Sequence, residues 1–273
     1  MPCKLAFAGV RHASLLGLIL ALVLVGGARP GPTPQHHLPL AAVPISRMDL
    51  PWWRERHEAV LQRLRQGKVD LIFLGDSITQ DWEKRGPPAW QDFQPIWERF
   101  YGDRNAVNMG FTGDTTASLL WRIENGEVDA ISPKVAVILI GANNLGRVHW
   151  SAADTVTGID AIIKQLRRRL PQTRLLLLSV LPSERSAWAS EHTVAINHIL
   201  GQRYGDGAEV TFLDVTRVFM KNGSPDPDLY LDRFRNPSEP LLHPSAQGQE
   251  TLAAFIEPTL ATLMGDRNHL LAR

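Results

Sequence analysis

The sequence predicts a three-layer α/β/α domain built on a doubly wound, five-stranded parallel sheet. Two observations carry this. Five short apolar runs appear without polar alternation, as strands covered on both faces require. Between them lie segments with helical spacing of apolar residues, and right-handed crossovers then put helices on both faces.

Taken in order, residues 47–68 (RMDLPWWRERHEAVLQRLRQGK) read as an amphipathic helix, with Trp53, His57, Val60, Leu61 and Leu64 near helical spacing. VDLIFLG is a short apolar run closed by glycine, hence a buried strand, and AVNMG is a second. TTASLLWRIEN predicts a helix, KVAVILIG the third strand, and ADTVTGIDAIIKQLRRRL a helix. The basic run Arg167–Arg169 that ends this helix complements the negative end of its dipole. RLLLLSV is the fourth strand, a helix follows over about 189–204, EVTFLDV is the fifth, and a last helix covers about 245–264. The predicted domain spans residues 47–266, with a short tail at 267–273.

What precedes the domain is different. Lys4, Arg11 and His12 lead into the apolar run ASLLGLILALVLVGG, which ends in small residues around Ala28. A basic start, an apolar core and a small-residue end describe a secretory signal peptide over 1–28. The run is short of the roughly 20 residues of a membrane span, with an uncleaved anchor as the alternative. Residues 29–46 follow as a proline-rich tether, and His36 and His37 on it have no other metal-type side chains nearby. Export places the protein in the periplasm or outside the cell. Cleavage removes Lys4, Arg11 and the single cysteine, Cys3, taking the formal net charge from +1 to −1. A near-neutral chain offers no general electrostatic case for nucleic-acid binding. Without cysteine there is neither a disulfide nor a thiol nucleophile, and the stability must come from the core.

In doubly wound folds the site lies at the carboxyl ends of the strands. The segments found there are GDSITQ (75–80), NMGFTGD (108–114) and GANN (141–144), joined by LLHPS before the last helix. Together they hold a serine, backbone N–H donors, an amide and an imidazole, the inventory of acyl transfer. Singly each has a plainer reading. Strand-end serines and asparagines often serve turns, and Ser245 after His243 is a natural helix cap. Competing chemistries lack their motifs: there is no G-x-S-x-G, no H-E-x-x-H and no phosphate-binding loop. Asp226, Asp228 and Asp232 in SPDPDLYLD read as a solvated turn rather than a calcium loop, and Trp82 and Trp150 as packing residues. No cofactor and no metal is expected.

These blocks resemble the SGNH (GDSL-type) hydrolases, and most closely the platelet-activating-factor acetylhydrolase Ib catalytic subunits and their bacterial relatives. The resemblance runs from about residue 55 to 264 and includes KVDLIFLGDSITQ, NMGFTGDTTASLLWRIENGEVDAISPK and GANN. It implies Ser77 as nucleophile, His243 as general base, and an oxyanion hole made by the N–H groups of Ser77 and Gly110 with the Asn143 amide. It also implies a flavodoxin-like SGNH fold, no cofactor, a short acyl chain and the option of a homodimer.

One departure stands out. Relatives read D-x-x-H, whereas this chain has Pro240-Leu241-Leu242-His243. Losing the acid of such a triad costs about 10⁴ in turnover. Glu239 as a substitute acid and a Ser–His dyad oriented by a backbone carbonyl rank equally, ahead of Asp232 or Asp228 swinging in from the preceding segment. The expectation is an exported, cofactor-independent esterase acting on a small-molecule or glycan acyl ester, touching membrane only if the N-terminal segment stays uncleaved. An exported acyltransferase acting on a glycan and an impaired acyl-ligand binder are the alternatives.

Overall fold

The computed structural model describes residues 1–2, 38–207 and 209–271, so the signal segment, Cys3 and most of the tether, including His36 and His37, lie outside the described residues. Contacts divide the chain into Met1–His37 and Leu38–Arg273, and the description that follows concerns the second unit. Among the described residues no helix is long and apolar enough to cross a membrane.

Helix α1 (Pro51–Arg65) precedes β1 (Leu71–Gly75), which turns directly into the one-turn helix α2 (Ser77–Gln80). Helix α3 (Gln94–Tyr101) leads to β2 (Ala106–Gly110) and α4 (Thr116–Arg122). Strand β3 (Val135–Leu139) feeds α5 (Ala142–Gly146) and then α6 (Ala152–Arg169). Strand β4 (Arg174–Leu178), α7 (Ala187–Tyr204) and β5 (Val210–Leu213) follow, and α8 (Leu231–Arg235) and α9 (Ala246–Met264) complete the domain. The sheet is parallel with order β2-β1-β3-β4-β5, the flavodoxin-like doubly wound arrangement.

Alternate residues of each strand feed two separate cores. Ile72, Leu74, Val107, Met109, Ala136, Ile138, Leu175 and Leu177 point to one face, packed by α1, α4, α6 and α7. Leu71, Phe73, Val135, Val137, Leu139, Leu176 and Leu178 point to the other, packed by α3 and α9. This is why the strands read as continuous apolar runs. Trp82, with Phe93, Trp97 and Tyr101, belongs to the second core, as a packing residue should. Helices α3, α5 and α8 were not legible as helices, since each is too short for a helical period to show.

The order of the strands reverses between β1 and β3, which opens a crevice at their carboxyl ends. Into it project the starts of α2 and α5 and the loop after β2.

Candidate active site

Asp76 caps α2, its Oδ1 accepting the Ile78 N–H at 3.0 Å, and this holds Ser77 at the first helical position. The Ser77 N–H is one of the four amides a helix start leaves without an intrahelical acceptor. Ser77 Oγ lies 3.0 Å from His243 Nε2. His243 stands two residues before Ser245, which does cap α9 through the Gly248 N–H. The cap of α9 and the contact of the imidazole with Ser77 therefore coexist in that segment.

The partner of the imidazole is Asp232, not Glu239. Asp232 Oδ1 is 3.1 Å from His243 Nδ1, while its Oδ2 accepts the N–H groups of Leu242 at 2.7 Å and His243 at 2.6 Å. A short antiparallel bridge explains the approach. Leu231 N–H donates to the His243 carbonyl and Ser245 N–H to the Leu229 carbonyl, with Tyr230 paired to Pro244. The bridge sets the first turn of α8 against the imidazole. Glu239 turns away and pairs with Arg235, whose guanidinium also reaches Asp232 Oδ1 at 3.1 Å. The surface-turn reading of Asp232 fails with it, since the residue is 1% exposed. Asp228 pairs with Arg233 instead. Burial opposes the charge on Asp232, but the imidazole and the two amides outweigh it and hold the carboxyl below its usual range. With that carboxylate accepting from Nδ1–H, Nε2 is left to accept the Ser77 hydroxyl proton.

The glycine expected in the oxyanion hole has its N–H already taken. Gly110 N–H donates to Asn108 Oδ1 at 2.9 Å and its carbonyl accepts from Arg56 Nε at 2.7 Å, so neither group is available to a substrate. Gly110 is required for another reason: a Cβ there would lie 2.2 Å from the Gln80 backbone nitrogen. Gly113, three residues on, has φ +75°, and no acceptor meets its N–H among the described residues. Asn143 Nδ2 donates to the Asp114 carbonyl at 3.0 Å, which fixes the amide and leaves its second N–H free. Asn144 is structural, its side chain holding the start of α4 through Thr116.

Beneath this loop lies a buried polar network. Asp114 accepts from Trp53 Nε1, Arg47 and Arg122, each at 2.8 Å. Arg122 also bonds the Gly75 carbonyl at 3.2 Å and pairs with Glu127, which in turn meets His57 Nδ1 at 2.9 Å. One side chain thus ties the end of β1, just before Ser77, to the loop that carries Gly113.

A profile for GDSL-like lipases and acylhydrolases matches residues 73–251. The chain belongs to this family. Human platelet-activating factor acetylhydrolase IB subunit alpha2 is 31% identical over 185 residues, 66% of this chain and 75% of the relative. A GDSL-like lipase from Bacteroides thetaiotaomicron superposes with TM-score 0.59 at 16% identity, covering 76% of this chain and 97% of the other. A carbohydrate esterase family 3 protein from Talaromyces cellulolyticus gives 0.53 at 18%, covering 73% and 100%. At those identities the two structures speak to the fold, and it is the GDSL fold.

Ser77, Asn143 and His243 were legible in the sequence as candidates, Asp232 only behind Glu239 and a Ser–His dyad, and Gly113 not at all. Gly113 carried a signal in the Thr-Gly-Asp turn, where only glycine suits a positive φ. Asp232 carried none locally, because a bridge between distant segments brings it in. Two large cavities, about 1140 Å³ beside α7 and 650 Å³ along the free edge of β2, are lined by neither Ser77 nor His243.

Proposed function

We propose that this acylhydrolase is an exported serine esterase that removes short acyl groups, acetyl above all, from alcohols. The observation that carries the reading is the chain of contacts Asp232–His243–Ser77 beside unoccupied N–H donors. His243 Nε2 takes the Ser77 proton as Oγ attacks the ester carbonyl. The tetrahedral oxyanion is met by the N–H groups of Ser77 and Gly113 and by the Asn143 amide. His243 returns the proton to the leaving alcohol, and then activates water to release the acid from the acyl-enzyme. Asp232 holds the tautomer and offsets the charge on the imidazolium.

The short acyl chain is supported by the relatives named acetylhydrolases, and a carbohydrate alcohol by the carbohydrate esterase likeness. Export is supported by the basic-apolar-small pattern of residues 1–28. The case for an impaired binder rested on the acid absent at position 240, and Asp232 supplies a carboxylate at the imidazole.

Hydrolysis of 4-nitrophenyl acetate by the full chain and by Ser77→Ala tests the reading. Turnover by the wild type with less than a thousandth of it in the variant is expected. Equal rates would remove Ser77 from the chemistry. N-terminal sequencing of protein recovered outside the cytoplasm of a bacterial host checks cleavage near Ala28.

A further inference from the structure

The peptide between Thr112 and Gly113 has the Gly113 N–H on one edge and the Thr112 carbonyl on the other. A trans peptide is planar, so whatever holds the carbonyl also sets the direction of the N–H. Arg47 holds it. Its Nη1 donates to the Thr112 carbonyl at 3.0 Å and to Asp114 Oδ1 at 2.8 Å, so one nitrogen grips the chain on both sides of Gly113. The turn is closed by the Asp114 N–H on the Phe111 carbonyl at 3.1 Å, which makes the Thr112–Gly113 peptide its centre. Gln80 Oε1 accepts the Thr112 N–H at 2.7 Å and holds only the peptide before it. The φ of Gly113, +75°, is that of the third residue in a type II turn, whereas a type I turn reverses the central peptide. Glycine permits both.

Arg47 lies outside the part of the chain that the acylhydrolase profile matches. It ends a strap, residues 38–47, that packs against α4 and α6 before the chain turns into α1. Ala41 and Ala42 of the strap are buried, the Ala41 carbonyl accepts from Thr116 Oγ1 at 2.8 Å, and the Ile45 N–H donates to the Ala117 carbonyl at 3.1 Å. The approach to α6 is so close that a Cβ on Gly158 would fall 2.4 Å from the Ala41 carbonyl oxygen. On the other side, the Arg47 carbonyl accepts the Leu50 N–H at 3.0 Å, and the buried Trp53 places Nε1 2.8 Å from Asp114 Oδ1. Backbone on both sides of Arg47 is therefore anchored without its side chain. The guanidinium rests 5.3 Å from the Trp52 ring centroid, and the side chain is 17% exposed, open enough for a small cation to enter if it were removed.

We infer that Arg47 is a positioning residue of the oxyanion hole, carried on the N-terminal strap, and that it locks the Thr112–Gly113 peptide with the Gly113 N–H facing the developing oxyanion. Its own charge is met by Asp114. Arg47 therefore acts through the amide and does not touch substrate. A cation on the carbonyl also makes the N–H of the same peptide a stronger donor, because hydrogen bonds through one amide polarise each other. Without the clamp the central peptide is free to rotate, and the N–H then turns away from the oxyanion. This inference rests on the serine esterase reading.

Steady-state hydrolysis of 4-nitrophenyl acetate by the full chain tests it, with wild type beside Arg47→Ala, Arg47→Lys and Arg47→Gln. Arg47→Ala is expected to lower kcat by about 10- to 100-fold, the cost of a misplaced donor, with KM within about twofold of wild type. Millimolar methylguanidinium should restore part of that kcat in Arg47→Ala and leave the wild type unchanged. Arg47→Lys, which keeps a cation with several donors, should be faster than Arg47→Gln, which keeps the donor and loses the charge. A kcat within about threefold of wild type in Arg47→Ala, or a raised KM with kcat unchanged, overturns the clamp. So does a loss of kcat that neither methylguanidinium nor lysine reverses, which is what a general disturbance of the fold would give. Should Arg47→Ala lose its fold by circular dichroism, the other two variants decide, and equal rates in them overturn the inference. Wild type without turnover that depends on Ser77 overturns the esterase reading itself, whereas Ser77-dependent turnover unimpaired in Arg47→Ala overturns only the clamp.

Discussion

Asp232 and His243 are eleven positions apart in the chain, yet one carboxylate oxygen of Asp232 lies 3.1 Å from the imidazole Nδ1 while the other binds the histidine's own backbone N–H. A carboxylate so placed fixes both the ring and the peptide that carries it. The family's usual aspartate, three residues before the histidine, would reach the ring from the same strand of chain. Here proline stands at that position and the acid arrives from the start of α8.

Substitution separates the two candidate acids. Asp232→Asn keeps the shape but removes the charge, and kcat on 4-nitrophenyl acetate is expected to fall by about 10⁴. Glu239→Gln loses a pair with the exposed Arg235, and its kcat should stay close to wild type. Steady-state kinetics on both variants, with circular dichroism as a check on folding, decide the matter. A loss in Glu239→Gln as large as in Asp232→Asn would return the acid role to Glu239.

Asn143 is held by the Asp114 carbonyl through one N–H and is free through the other. An interaction that strengthens as the oxyanion forms lowers kcat when removed and leaves KM nearly alone. Asn143→Ala is therefore expected to lower kcat by about 10²–10³. A variant that raises KM with kcat unchanged would make the amide a ground-state binder.

Regular elements were readable because five apolar strands and the long helices each repeat one period over enough residues. Ser77, Asn143 and His243 were readable because each sits within two or three positions of such an element. Asp232 could only be ranked behind Glu239, and the hold of the Gly113–Asp114 turn on Asn143 could not be read at all, since both depend on how separate loops meet. The expectation for Gly110, whose N–H is taken by Asn108, has a physical source. Both Gly110 and Gly113 are obligatory glycines, one for packing against α2 and one for its positive φ, and composition does not distinguish the two reasons.

The buried network beneath the oxyanion loop predicts a stability effect. Arg122 is fully buried, bonds Asp114 Oδ2 at 2.8 Å, and stacks its guanidinium 4.0 Å from the Phe111 ring centroid. Arg122→Met leaves Asp114 and Glu127 without their shared cation. Stranding a buried charge in this way costs roughly 3–5 kcal/mol. Urea unfolding should show an unfolding free energy lower by that amount, and a change under 1 kcal/mol would mean that Arg47 and His57 suffice to hold the two carboxylates.

Asp76 predicts a pH dependence of stability. Its carboxyl is 1% exposed, and burial raises its pKa from 3.8 to about 7 against the opposing effect of the Ile78 N–H. The folded chain thus holds a proton on Asp76 that the unfolded chain has released. The resulting stability is complete below pH 3.8 and is lost as pH rises through about 7, on the order of 4 kcal/mol in all. Asp76→Asn keeps an oxygen for the Ile78 N–H and cannot ionise. Relative to wild type it should therefore gain about 3 kcal/mol between pH 5 and pH 8. Asp232, whose carboxyl is held below its usual range, acts in the opposite sense and only at lower pH, so it does not enter this window. Urea unfolding of both proteins at unit steps from pH 5 to 8 measures the difference directly. A constant offset across the series would mean that Asp76 is ionised throughout, held by the field of His243 and Arg185 rather than neutralised by its burial.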